Sequence, residues 1–135
     1  LVTTSYKNIV YNPKIESIQN YFDNDILISD WSGSAFEFAF GTLKPAIFLD
    51  LPKKVNNENY LDLSNRPIEI KLRSKIGKII NKNNYKKISE IINDFKKNKD
   101  IWKKKIMLAR KSSIYNINTS GNVGADYISE LIKKN

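Results

Sequence analysis

The residues best placed to do chemistry are Ser29-Asp30-Trp31-Ser32-Gly33-Ser34-Ala35-Phe36-Glu37, where hydroxyls, carboxylates and a glycine fall within nine consecutive positions. At the start of a helix, such a composition makes an anion site, because the first amides have no intrahelical acceptor and carry a partial positive charge. Gly33 lets an oxygen approach the backbone, Ser32 and Ser34 add hydroxyl donors, and phosphate is the natural guest. Glu37 falls one turn beyond Gly33, where its carboxylate can accept from the vicinal diol of a ribose joined to that phosphate. The same residues also suit plain helix capping. Ser34 with Glu37 three residues on has the capping-box pattern, and a hydroxyl at a helix start is worth about 1 kcal/mol with no ligand present. Asp30 has two open roles, touching a ligand or hydrogen-bonding the amides of the turn.

The composition narrows the remaining chemistry. The 135 residues include no cysteine and no histidine, which excludes a disulfide framework, a thiolate metal site, a histidine-based triad and a histidine-ligated zinc. Carboxylate, hydroxyl, lysine and backbone-amide chemistry remain, together with binding. Asp50 and Asp62 are isolated and read as turn or loop carboxylates, so no metal and no cofactor is expected.

The elements that position the motif follow from apolar spacing. Asn8-Ile9-Val10-Tyr11, closed by Asn12-Pro13, suits a short buried strand, and Ile15, Ile18, Tyr21 and Phe22 recur at helical spacing. Asp25-Ile26-Leu27-Ile28-Ser29-Asp30 is the β-branched run of a strand buried on both faces of a parallel sheet. Ala35 to Phe40 form an apolar helix with Gly41 placed as its C-terminal cap. Pro45 to Asp50 then suit a strand, with proline at the position where a missing N–H does least harm. Strand and helix alternate, which implies crossovers onto a parallel sheet and an α/β class. Leu51 to Pro67 read as a long polar loop, and Gly77 to Ile80 as one more strand. Tyr85, Ile88, Ile91, Ile92 and Phe95 mark an amphipathic helix, and Asp100 to Lys111 a second with Trp102, Ile106 and Ala109 inward. Gly124 to Lys134 predict a last helix packing Tyr127, Ile128, Leu131 and Ile132. Length and pattern together give a single domain over residues 1–135.

The run DILISDWSGSAFEFAFGTLKPAIFLD resembles the C-terminal nucleotide-binding domain of the CDP-glycerol glycerophosphotransferase family, whose members carry a similar strand, an Asp-aromatic-Ser-Ser-like turn, an acidic-aromatic helix and a Lys-Pro before the next strand. It is more distantly similar to the Asp-Ser-Gly-Gly-x-x-x-Glu loop of UDP-N-acetylglucosamine 2-epimerases and other GT-B-type glycosyltransferases. The close match spans Asp25 to Asp50, with weaker support from Arg73-x-Lys75-Ile76-Gly77 and the last helix. The resemblance implies a Rossmann-like parallel sheet flanked by helices, forming the C-terminal half of a GT-B architecture. It implies that Ser32, Gly33 and Ser34 contact the diphosphate of the donor, that Glu37 contacts the ribose, and that Asp30 supports the loop. Glu37 and Gly33 depart from the family, which mostly has Asp and a second Ser there, and both changes lean toward the sugar-nucleotide enzymes. The donor is thus CDP-glycerol, CDP-ribitol or a nucleotide sugar. In the family's two-domain proteins, the acceptor site and a His-Pro-containing stretch lie upstream. The chain opens at Leu1 rather than methionine, and with no histidine it reads as the donor-binding piece of a longer transferase, inactive alone, whose lipid-linked or polymer acceptor binds elsewhere.

The net charge of +9 is uneven. Lys71 to Lys111 hold 15 basic and 3 acidic side chains, and the remainder of the chain is net acidic. Aligned lysines near an anionic membrane surface are worth about 1 kcal/mol each, and Trp102-Lys103-Lys104-Lys105-Ile106-Met107 has the character of an interfacial helix. A solvated lysine face is the plainer alternative. The pattern predicts a cytoplasmic protein, peripheral on the inner face of the membrane if the lysines serve it. Nucleic-acid binding, suggested by the charge with Tyr85, Trp102 and Tyr115, ranks below these readings because the aromatics fall at core spacing.

Overall fold

The computed structural model describes residues 8–10, 18–53, 59, 62 and 67–134. Three strands, β1 (Leu27–Ser29), β2 (Ala46–Leu49) and β3 (Gly77–Ile80), form a parallel sheet in the order β1-β2-β3. Helices α1 (Gln19–Asp23) and α2 (Ser34–Thr42) flank β1, and α3 (Ile68–Ile76) leads directly into β3. A 3-10 helix over Lys82–Lys87 then opens α4 (Ile88–Lys97), followed by α5 (Lys99–Lys111) and α6 (Ser120–Lys133). The class is α/β, with helices on both sides of a parallel sheet, an arrangement compatible with a Rossmann-like fold.

β2 is central, so its four apolar residues must satisfy two layers at once. Ala46 and Phe48 meet Ala35, Phe36 and Ala39 of α2, Leu72 and Ile76 of α3, and Ile106 and Ala109 of α5. Ile47 points the other way, to Ile80, Phe95 of α4 and Trp102 of α5. α5 therefore serves both layers, its first turns closing one and its last turns the other. Register is tight at one place. Ala46 pairs with Gly77, and a Cβ on Gly77 would stand 1.8 Å from the Ala46 carbonyl oxygen, so the close approach of β2 and β3 requires glycine.

The expected strand at Asn8-Ile9-Val10 is absent. Among the described residues these three pair with no strand and are exposed, Val10 at 88%, so their apolar character is not matched by burial; Tyr11 and Ile15 lie outside the described residues, as does most of Leu51 to Pro67. β1 forms, but as the edge of the described sheet, bonded to β2 alone, which leaves Ile28 45% exposed. Gly41 is not the cap of α2. The helix runs on to Thr42 and ends on Leu43, whose φ of 57° is left-handed and whose N–H bonds to the Ala39 carbonyl. The helix then stops because Pro45, two residues on, cannot continue it.

α6 begins earlier than the spacing predicts, and its apolar face is uncovered: Tyr127, Ile128, Leu131 and Ile132 are all exposed. Helical periodicity shows that a helix has an apolar face, not which surface meets it. Trp102, by contrast, is buried against Phe95 with ring centroids 4.9 Å apart, so it anchors the core and presents no face to a membrane. Among the aromatics weighed for nucleic acid, Tyr85 is half-buried, and Tyr115 is 85% exposed where core spacing predicts burial. Among the described residues, no helix is long and apolar enough to cross a membrane.

Candidate functional site

The Ser29–Glu37 segment stands at the carboxyl end of β1, the edge of a parallel sheet where ligand crevices form. The chain leaves β1 through Asp30 and Trp31, turns at Ser32 and enters α2 behind Gly33. Ser32 organises the turn. Its Oγ lies 2.7 Å from Ser34 Oγ and accepts the Ser34 N–H at 3.3 Å, and its carbonyl accepts the Ala35 N–H at 3.3 Å. The Gly33 carbonyl takes the N–H groups of Phe36 and Glu37 at 2.9 and 3.2 Å.

This arrangement differs from a capping box. Gly33 is the N-cap and has no side chain to bond the helix, while Ser34 is already the first helical residue. The amides of Ser34 to Glu37 are taken within the turn, so an arriving anion meets the Ser32 and Ser34 hydroxyls and the backbone around Gly33 rather than a ring of free helix amides. One hydroxyl hydrogen is shared between the two serines, and the second is left to donate outward. Space is available: nothing lies within 4 Å of a Cβ placed on Gly33, and its φ of −59° is one that any residue adopts. Gly33 is therefore not needed for backbone conformation, and it leaves a bare surface at the turn.

Glu37 is exposed and lines a groove of about 560 Å³ that Gly33, Phe40, Glu69, Arg110 and the loop around Asn116 also line. Arg110 donates to the Phe40 carbonyl at 2.8 Å, closing the end of α2, and its Nε is buried with no partner among the described residues. With two carboxylates against one guanidinium, the groove favours a hydroxyl-bearing group over a second phosphate. The structure thus brings Ser32, Gly33, Ser34 and Glu37 to one edge. Asp30 is half-buried beside them and bonds none of the turn amides among the described residues.

Arg73 enters the sequence reading only as weaker support for the resemblance, and its place beside the site is shown by the structure. It is 2% exposed, yet its guanidinium lies 3.8 Å from the Trp31 ring centre and 5.1 Å from that of Phe48. Nη1 meets Asp50 Oδ1 at 3.3 Å, Nη2 reaches the Leu49 carbonyl at 3.4 Å, and Nε has no partner among the described residues. Trp31 in turn donates its indole N–H to the Leu51 carbonyl at 2.7 Å. The loop bearing Ser32 is thereby tied to the carboxyl end of β2. The signal was available in the composition: the chain has 3 arginines against 20 lysines, and arginine is needed where a planar cation must stack and fork.

Among the described residues, no group of three or more acidic side chains gathers to hold a metal. No protein-family model, no curated protein and no solved structure matches the chain.

Proposed function

We propose that this chain is the donor-binding domain of a transferase of the CDP-glycerol glycerophosphotransferase type, the C-terminal half of a GT-B architecture that receives a nucleotide diphosphate at the β1–α2 turn. The observation that carries the reading is the pair of serine hydroxyls 2.7 Å apart, beside a glycine with open space above it, at the carboxyl end of a parallel strand. In this reading the diphosphate lies on Ser32, Gly33 and Ser34, and the ribose extends into the groove where Glu37 accepts from its diol. Charge that builds on the departing phosphate is met by hydroxyl and backbone dipoles already in place, which stabilises it without reorganisation. The acceptor, lipid-linked or polymeric, is bound by another part of the enzyme, and the whole protein works at the inner face of the membrane.

Isothermal titration with CDP, UDP and CDP-glycerol tests this. The expected result is saturable binding of at least one of them, weakened at least tenfold by Ser34→Ala and by Glu37→Ala. A preference for CDP-glycerol identifies the glycerophosphotransferase donor, and a preference for UDP identifies a nucleotide-sugar enzyme. Binding of none, or binding indifferent to both substitutions, overturns the reading.

A further inference from the structure

The opposite ends of β1 and β2 carry a second feature that the donor site does not use. Where Ile26 enters β1 and Pro45 enters β2, a half-enclosed cavity of about 330 Å³ opens between the end of α2, the end of α4 and the first turns of α5. Lys44, Lys96, Lys99 and Lys103 line it against a single carboxylate, Asp25, and Phe95 lies at its floor. Lys44 is already committed, its Nζ donating at 2.7 Å to the carbonyls of Phe22 and Asn24. Lys96, Lys99 and Lys103 have no ion-pair or hydrogen-bond partner among the described residues; the one ion pair there joins Arg73 to Asp50. The nearby Asp94 carboxylate is occupied by the Asn98 side-chain amide at 2.7 Å and the Trp102 indole N–H at 3.4 Å.

These charges are placed against the stability of their own helix. Lys99 is the first residue of α5, at the positive end of its dipole, and Lys103 stands one turn further on, at the spacing where like charges repel. A lysine face that served only solubility would have no reason to converge on a cavity or to crowd a helix start. Lys96, in the last turn of α4, does suit its own helix, and it brings a third ammonium to the same opening. The missing component is an anion.

We propose that this cavity binds a phosphate ester, with its oxygens held among Lys96, Lys99 and Lys103. The chemistry is the same whether the phosphate belongs to a soluble compound or to the headgroup of an anionic lipid. The site stands apart from the donor turn, at the amino ends of the strands, and does not depend on that turn being a nucleotide site.

The test follows backbone amide shifts of the full chain by NMR during titration with inorganic phosphate, alongside co-sedimentation with phosphatidylglycerol vesicles. Two double variants are compared: Lys99→Gln with Lys103→Gln in the cavity, and Lys104→Gln with Lys111→Gln on exposed positions of the same helix. Both remove the same charge, and neither touches the packed core. The expected result is saturable shifts confined to residues near 42–44 and 95–103, or vesicle binding, weakened at least tenfold by the cavity pair and less than twofold by the control pair. Phosphate binding without vesicle binding assigns a soluble ligand, and vesicle binding that phosphate does not reproduce assigns a lipid headgroup. Binding of both, with phosphate displacing the vesicles, assigns the headgroup phosphate itself. Binding of neither, or equal loss in the two double variants, overturns the proposal.

Discussion

The guanidinium of Arg73 stacks on the ring of Trp31 at 3.8 Å, so a residue of α3 holds the loop that presents Ser32 and Ser34. Arg73 touches neither serine. It acts through Trp31, whose other anchor is the Leu51 carbonyl, and through the carboxyl end of β2, where Leu49 and Asp50 take its Nη atoms. The candidate site is thus built on the junction of three elements, although its named residues belong to one.

Arg73→Lys keeps the charge and loses the plane. A desolvated cation–π stack is worth about 2 kcal/mol, and each hydrogen bond adds about 1 kcal/mol, so the variant is expected to lose about 2–3 kcal/mol in urea denaturation. Freed from its stack, Trp31 should also move toward water, shifting its emission to longer wavelength. A loss below about 0.5 kcal/mol with unchanged emission would show that the stack does not hold the loop.

The two structurally informative glycines should respond in opposite ways. Gly77→Ala drives a methyl into the Ala46 carbonyl, which is backbone and cannot step aside without parting β2 from β3. The expected destabilisation is about 3 kcal/mol or more. Gly33→Ala meets nothing and keeps a helical φ, so its stability should change by no more than about 0.5 kcal/mol while nucleotide affinity falls. Denaturant midpoints of the two variants, measured together, separate a glycine required by packing from one that leaves a surface bare.

Within the turn, Ser32 accepts from the Ser34 amide and shares a hydrogen with the Ser34 hydroxyl, whereas the Ser34 side chain makes only the second contact. Ser32→Ala should therefore cost about 1 kcal/mol and Ser34→Ala about half of that. A double-mutant cycle should return a coupling of at least about 0.5 kcal/mol. Purely additive effects would mean that the hydroxyls do not interact in solution, and the outward donor assigned to them would lose its basis.

The local rules read well wherever one strand or one helix decides the outcome. Pro45 to Asp50 read as a strand and β2 forms there, although the burial on both faces expected of Asp25 to Asp30 belongs to β2 and not to β1; the inward set Trp102, Ile106 and Ala109 of α5 is buried as its spacing predicts. What fails depends on a distant partner. Ile28 and the apolar face of α6 are exposed because no spacing states whether a neighbouring element covers them. The hydroxyls and Glu37 were legible as a group because they are consecutive in sequence, on one turn and the helix behind it. Arg73 was not, because its partners Trp31 and Asp50 lie 42 and 23 positions away and only the crossover through α3 brings them together.

Trp102 separates a membrane-facing α5 from a core-forming one. An interfacial tryptophan is half-wet in solution and shifts its emission to shorter wavelength on meeting lipid. Here the ring is 4% exposed and edge-on to Phe95, its N–H turned to Asp94, with Lys105 Nζ 4.7 Å from the ring centre on the outside. Trp102→Ala should cost about 3–5 kcal/mol, as for other buried large aromatics, whereas Lys105→Gln should cost no more than about 1 kcal/mol. In a Trp31→Phe background, Trp102 emission should be short-wavelength in buffer and unmoved by phosphatidylglycerol vesicles. Any lipid contact would then run through the lysines, with the indole held inside. A blue shift of Trp102 on vesicle addition would instead require that α5 leave the sheet.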